Sequence, residues 1–353
     1  MAGRGRSRAG IGKPYLAGHH VDCAATGSYY RALVVSPAEL GLEEQGKAMR
    51  ELVDEVYLPF TTEQLRGHFL QGADEHIGYY VGSARRYHSF LKDRRTRSGI
   101  PFSEAAGPCQ IEKDERFWTA ATLLTLFHHA DSRGCLVTLL AGAFGPAPPV
   151  AGLGTWEACL AGSSLHLSLE TVLPSPPAYT EWLRAHMEER QLIPYVRYAC
   201  GGSVAKALEG PTHLDALLIN PANGFAVAIE AKVLSDVSCQ VSYDIRRNQI
   251  ARNLDVLLES NEGMPEPLSC RRPDRTLLML LTPETFRRHP ESRLYGWLLR
   301  EYRDTPAALA RDLPHRLRDD WAAVAKRLGW MTWEDCHSAL PTCCGWLRTA
   351  ASA

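Results

Sequence analysis

The sequence predicts an α/β protein built on a mixed sheet, and three observations predict it. The segment THLDALLINPANGFAVAIEAKV reads as two apolar strands around Asn223-Gly224, a strong turn signal. Segments of helical period flank it at Glu181–Gln191 and Gln240–Glu259, and another apolar strand is expected at Thr276–Leu281. With 353 residues and 45% hydrophobic content, the chain can bury a large core, as two domains or as one with a large extension.

The elements follow in chain order. Residues 1–26 are basic and glycine-rich at their start, with no hydrophobic stretch of signal-peptide type, and are expected to form a disordered tail. Residues 27–172 read as mostly helical, through Leu42–Tyr57, Thr62–Phe69, Ser83–Lys92 and Asp114–His129. The last has an apolar stripe of Phe117, Ala121, Leu124 and Phe127, with Trp118 as core. Gly142–Gly154 is Gly/Pro-rich, Leu165, Leu167 and Leu169 alternate as in a strand, and a PSPP run from Pro174 to Pro177 punctuates the entry to residues 173–285. There, Thr180 is the expected N-cap of the helix to Gln191, with Trp182, Leu183 and Met187 on one stripe, and Tyr195–Cys200 is the expected first strand. Residues 286–353 read as helical at Tyr295–Arg303 and Leu317–Leu328, anchored by Trp321, Trp330 and Trp333.

The charges in the hairpin need a reason. Phe225–Val233 is apolar except for Glu230 and Lys232, which share a strand face with Ala226 and Ala228, while Phe225, Val227, Ile229, Ala231 and Val233 line the other. Charges in such a run are costly without a partner or a metal. Asp215 is the one acid of the preceding strand. If Pro221–Gly224 is a four-residue loop, Asn220 pairs with Phe225 and Asp215 falls opposite Glu230; if Asn223-Gly224 alone is the loop, Asp215 falls opposite Lys232. Both keep the acid on the shared face, whereas a five-residue loop would not.

An Asp on one strand followed by Glu-x-Lys on the next resembles the PD-(D/E)XK phosphodiesterases, the restriction endonuclease-like nucleases. The match covers about Pro177–Pro283 and has Leu214 where the family name places proline. The resemblance implies an αβββαβ core with C-terminal helices as decoration. It implies Mg²⁺ or Mn²⁺ held by Asp215, Glu230, the carbonyl of Ala231 and an acid of the first helix, Glu181, with Glu188 and Glu189 as alternatives. Lys232 would orient the attacking water or stabilise the transition state, and Gln249 would take the place of the functional glutamine of some branches. Arg246, Arg252 and Asn253, on or near the same helix, are the expected nucleic-acid contacts, with Arg247 as a further phosphate candidate or part of a solvated face. The expected activity is metal-dependent hydrolysis of DNA in restriction, phage defence or repair, by a monomer or a homodimer. A non-catalytic nucleic-acid-binding or assembly protein is the alternative, and a hydrolase of another phosphorylated substrate a third.

Net charge is −1, so any affinity for nucleic acid must come from local patches such as Arg85–Arg97. The ten cysteines include no C-x-x-C pair, and the doublets His19-His20 and His128-His129 lack ligand partners at helical spacing. A reduced, cytoplasmic protein with no membrane-spanning run is expected.

Overall fold

The computed structural model describes residues 52–54, 57–98, 113–190, 208–238, 244–318 and 320–344, with backbone alone for 86–98. A two-stranded ribbon of β1 (Leu52–Asp54) and β2 (Leu58–Thr61) leads into α1 (Thr62–Arg66), α2 (Ala73–Ser98), α3 (Glu115–His128) and α4 (Ser132–Phe144). After α5 (Trp156–Cys159) come β3 (His166–Leu173), α6 (Pro177–Ala185), α7 (Met187–Arg190), β4 (Thr212–Asn220), β5 (Phe225–Ala231), α8 (Gln249–Leu257) and β6 (Thr276–Thr282). The chain continues through α9 (Glu284–Arg288), α10 (Leu294–Asp304), α11 (Ala308–Asp312), α12 (Trp321–Ala325), β7 (Leu328–Thr332) and α13 (Trp333–Ala339). Strands β3 to β7 form one mixed sheet in sequence order, antiparallel from β3 to β5 and parallel from β5 to β7.

Apolar layers cover both faces of the sheet. Phe225, Val227, Ile229 and Ala231 pack against α3, α4 and α13 through Phe117, Leu124, Leu139 and Trp333. Ala226 and Ala228 face α8, α10 and α12 through Ile250, Leu254, Tyr295, Tyr302 and Val324. The alternation expected of β5 is therefore realised, with small residues where a helix lies close.

Several expectations are corrected. Residues 52–54 are strand, not part of a helix from Leu42, because Leu52 and Asp54 have the β2 backbone to pair with. Helix α4 holds a nearly continuous apolar run, SRGCLVTLLAGAF, whose glycines mask its period. Helix α6 starts at Pro177 with Pro176 as N-cap, four residues before the expected Thr180, and the helix is interrupted at His186, while Trp182, Leu183 and Met187 still share one apolar cluster. Tyr195–Cys200 lies outside the described residues, and the strand beside β4 is β3, which grows from the Leu165–Leu169 alternation and runs through residue 172, the expected domain boundary. Near the C-terminus, Leu317–Leu328 holds only the short α12, and residues 328–332 are the sheet's fifth strand. Trp330 packs from that strand on one core and Trp333 is buried in the other.

His68 and His128 have structural partners, and His19-His20 lies outside the described residues. His68 Nδ1 lies 2.8 Å from the Leu167 carbonyl, so it donates, and its Nε2 therefore accepts from His128 Nε2 at 2.9 Å. Burial, followed by the neighbouring histidines, pushes His68 from 6.5 down to about 4 against its backbone hydrogen bond. The unfolded chain then takes up a proton that the fold refuses, so stability present above about pH 6.5 should fall by ~3 kcal/mol as pH drops towards 4. Urea unfolding of His68→Asn beside the parent across that window checks this; an unflattened pH slope in the variant would remove His68 as the cause.

Candidate active site

The site forms where β4, β5, α3 and α8 meet. Asn220 pairs with Phe225, so the hairpin loop is Pro221–Gly224. Gly224 has φ +73°, and a Cβ there would stand 2.7 Å from the Arg272 side chain and 2.9 Å from the Cys270 carbonyl oxygen, so glycine is required. The next step of the register, beyond Ala216 and Ile229, sets Asp215 opposite Glu230, and Asp215 Oδ2 accepts from the Ala231 N–H at 2.7 Å.

Glu230 is only 3% exposed, and its carboxylate is surrounded by donors. Oε1 accepts from Lys232 Nζ and from Gln249 Nε2, both at 2.6 Å, and Oε2 accepts from Asn253 Nδ2 at 2.7 Å. Gln249 and Asn253 are one turn apart on α8, so a single helix face reaches both oxygens. The Gln249 amide is fixed the right way round because its Oε1 accepts from Ser238 N at 3.2 Å. The helix starts at Gln249, capped by Asn248, and not at Gln240; residues 239–243 lie outside the described residues.

Burial alone would lower the Lys232 pKa, but Glu230, Asp215 and Glu115 outweigh it and hold the ammonium above its ordinary value. Burial, then the Glu230 charge, pushes the Asp215 carboxyl well above the carboxylate range, with Lys232 and the Ala231 N–H opposing. The arrangement has more acid than its one ammonium compensates.

Two further acids belong here that sequence reasoning missed. Glu115, at the first turn of α3, accepts from Val233 N at 3.1 Å and Ser235 Oγ at 2.5 Å and lies 3.9 Å from Lys232 Nζ. Glu170 falls opposite Asp215 on β3. Its backbone is left-handed, φ +49°, and at that point both strands change faces: Leu169 and Ala216 belong to one core, Leu173 and Leu214 to the other. Burial raises the Glu170 pKa, and Arg116 opposes the rise.

Other expected site residues stand elsewhere. Glu181, Glu188 and Glu189 are exposed on α6 and α7, and no contact among the described residues joins them to Asp215 or Glu230. Arg252 is committed to the chain itself: its Nη2 donates to the Gly210 and Pro211 carbonyls at 2.8 Å, and Nε is 3.5 Å from Glu209. Asn253 is 1% exposed and serves Glu230, so it contacts the site and not solvent. Arg246 is exposed beside a cavity of about 530 Å³ with Trp182 and Arg190, away from the carboxylates. Arg247 is not on a solvated face; its guanidinium is fully buried on Glu209 and Asp255. Glu334 and Asp335 start α13 as acids of its first turn, where Asp335 closes a capping box with Thr332. Of the basic run, only the Arg85 side chain is among those described.

Hard oxygen donors of the kind a divalent cation takes are present at Asp215 and Glu230. Asp215 keeps Oδ1 free of the Ala231 bond, while Glu230 Oε2 has one donor and so one lone pair to spare. Among the described residues no group of three or more His, Cys, Asp or Glu side chains stands at metal-holding spacing, so a cation here would rest on two carboxylates completed by backbone oxygen and water. The excess of buried negative charge fits such an ion. No helix among the described residues is long and apolar enough to cross a membrane. Comparison with family models, curated proteins and solved structures finds no match.

Proposed function

We propose that this protein is a divalent-cation-dependent nuclease of the PD-(D/E)XK kind, acting on DNA. The observation that carries the reading is the placement of Asp215 opposite Glu230, with Lys232 and two amides of α8 converging on the same carboxylate. On this reading α3, β3, β4, β5, α8 and β6 would take the order helix, three strands, helix, strand, with α4 and α5 inserted between α3 and β3 and α6 and α7 between β3 and β4. In that alignment Glu115, not Glu181, is the acid from the first helix.

Asp215, Glu230 and the Ala231 carbonyl would hold Mg²⁺ or Mn²⁺. When bound, such an ion neutralises the scissile phosphate and lowers the pKa of a bound water. The chain's own residues do the rest. Lys232, kept cationic, meets the charge that develops on phosphorus-bound oxygen or orients the attacking water. Gln249 and Asn253 lock the Glu230 rotamer, and Glu115 ties the backbone after Lys232 to α3 through Val233 and Ser235.

The donors that fill Glu230 are also what a cation-free scaffold would use, and this favours the runner-up, a nucleic-acid-binding protein without catalysis. Incubating the full chain with linear DNA, circular DNA and RNA, each with Mg²⁺, Mn²⁺ or EDTA, separates the two. Cleavage of DNA that EDTA abolishes is expected. Binding without cleavage in every arm would select the runner-up, and cleavage in EDTA would remove the metal from the mechanism.

A further inference from the structure

The strained residue beside Asp215 has a partner that points out of the protein. Glu170 is buried, and its left-handed backbone, φ +49°, is strained for a residue with a side chain. A plain strand residue would avoid both costs. What the kink achieves is to aim the carboxylate at Arg116, whose Nε lies 3.3 Å from Glu170 Oε1.

The Arg116 side chain is held by Glu170 and Tyr79. Its guanidinium carbon sits 4.6 Å over the Tyr79 ring, and the Tyr79 hydroxyl donates to Asp114, which caps α3 by accepting from the Arg116 backbone N–H at 3.0 Å. Its partner Glu170 falls opposite Asp215, so Arg116 stands at the rim of the same carboxylates. Its side chain is 43% exposed, and no acceptor among the described residues takes its Nη1 or Nη2. An ion pair with one half-exposed member contributes little to stability, too little to repay a strained, buried glutamate. A pre-organised guanidinium with its fork open is, however, what binds a phosphate well.

We propose that Arg116 binds a phosphate of the nucleic-acid strand beside the candidate active site, with Glu170 and Tyr79 as its positioning residues. This rests on the nuclease reading and adds a binding residue to it. The neutralising work is divided: Lys232 faces the carboxylates inward, and Arg116 faces the substrate outward.

Fluorescence anisotropy tests this with fluorescein-labelled duplex DNA, single-stranded DNA and RNA in Ca²⁺ over a salt series, with inorganic phosphate at matched ionic strength as competitor. Arg116→Ala should weaken duplex binding about tenfold and reduce the slope of log affinity against log salt by about one. Arg116→Lys should restore the slope but not the affinity, since the point charge remains and the fork is lost. Glu170→Gln should keep the slope and lose part of the affinity, a pattern that loss of structure would not give; thermal melting of each variant accompanies the binding. An Arg116→Ala protein with parental affinity and slope overturns the proposal and leaves the nuclease reading standing. Failure of the parent to bind any nucleic acid overturns both, and equal displacement of DNA by inorganic phosphate would make this a simple anion site and overturn the substrate assignment.

Discussion

Lys232→Ala should abolish cleavage, by ~10³-fold or more if the ammonium stabilises transition-state charge as preorganised donors do. It should also lower the melting temperature, because removing one partner of a buried ion pair leaves the other uncompensated, at a cost of about 3–5 kcal/mol. Lys232 is 6% exposed and sits 2.6 Å from Glu230, so Ala tests both roles at once. Lys232→Arg separates them. It keeps the charge near Glu230 and Glu115 but spreads it over a plane that cannot occupy the same point. The expected result is a folded protein, close to the parent in melting, that no longer cuts. Parental cleavage rates in either variant would take Lys232 out of the mechanism.

The second large effect lies behind α8, in the cluster that fixes the helix carrying Gln249 and Asn253. Arg247 donates to Glu209 through Nε at 2.7 Å and Nη2 at 3.0 Å, and to Asp255 at 2.8 Å, with its guanidinium 3.5 Å over the Tyr179 ring. Asp255 also meets His315 at 3.0 Å and accepts from Arg316. Burial would raise the Asp255 pKa, but His315, Arg247 and Arg316 outweigh it and hold it down to about 2. Because the folded value is depressed from 3.8, Asp255 contributes ~2 kcal/mol that is present above about pH 4 and lost as pH falls through 2. Asp255→Ala should cost more, about 3–5 kcal/mol, since it strands the buried Arg247 and removes a shared acceptor. Denaturant unfolding near neutral pH measures it. A loss under ~1 kcal/mol would show that Arg247 finds a full substitute in Glu209.

Much of the hairpin was legible because its information is local. Period-two alternation set the two faces of β5, and Asn223-Gly224 fixed a turn whose plausible lengths kept Asp215 on the right face. The i, i+4 spacing of Gln249 and Asn253 placed both on one helix face, although Asn253 turns inward to Glu230 where a substrate contact was expected. Glu181 stood out in the sequence because α6, one of the helices between β3 and β4, offers an acid at a reasonable distance along the chain, whereas the acid brought beside Lys232 is Glu115 of α3. Two helices, α4 and α5, stand between the helix of Glu115 and β3, so the order of elements along the chain did not point to that acid.

Glu170 carried no comparable signal. An acid among His166–Leu173 looks like an ordinary outward residue of a half-exposed strand, and only the change of face there shows it as strained and buried. Arg247, as a phosphate candidate or part of a solvated face, and Arg252, as an expected nucleic-acid contact, likewise read as outward charges until Glu209, distant in sequence, is brought beneath them.

The alternating faces of β5, the turn, and the central Asp, Glu and Lys were readable from the chain alone, since these depend on neighbours a few residues away. Which helix brings an acid beside Lys232, which arginines are buried and which faces outward, and where the backbone is strained came from the packing of distant segments. Those depend on which distant carboxylate each charge meets after desolvation, and no local pattern encodes that.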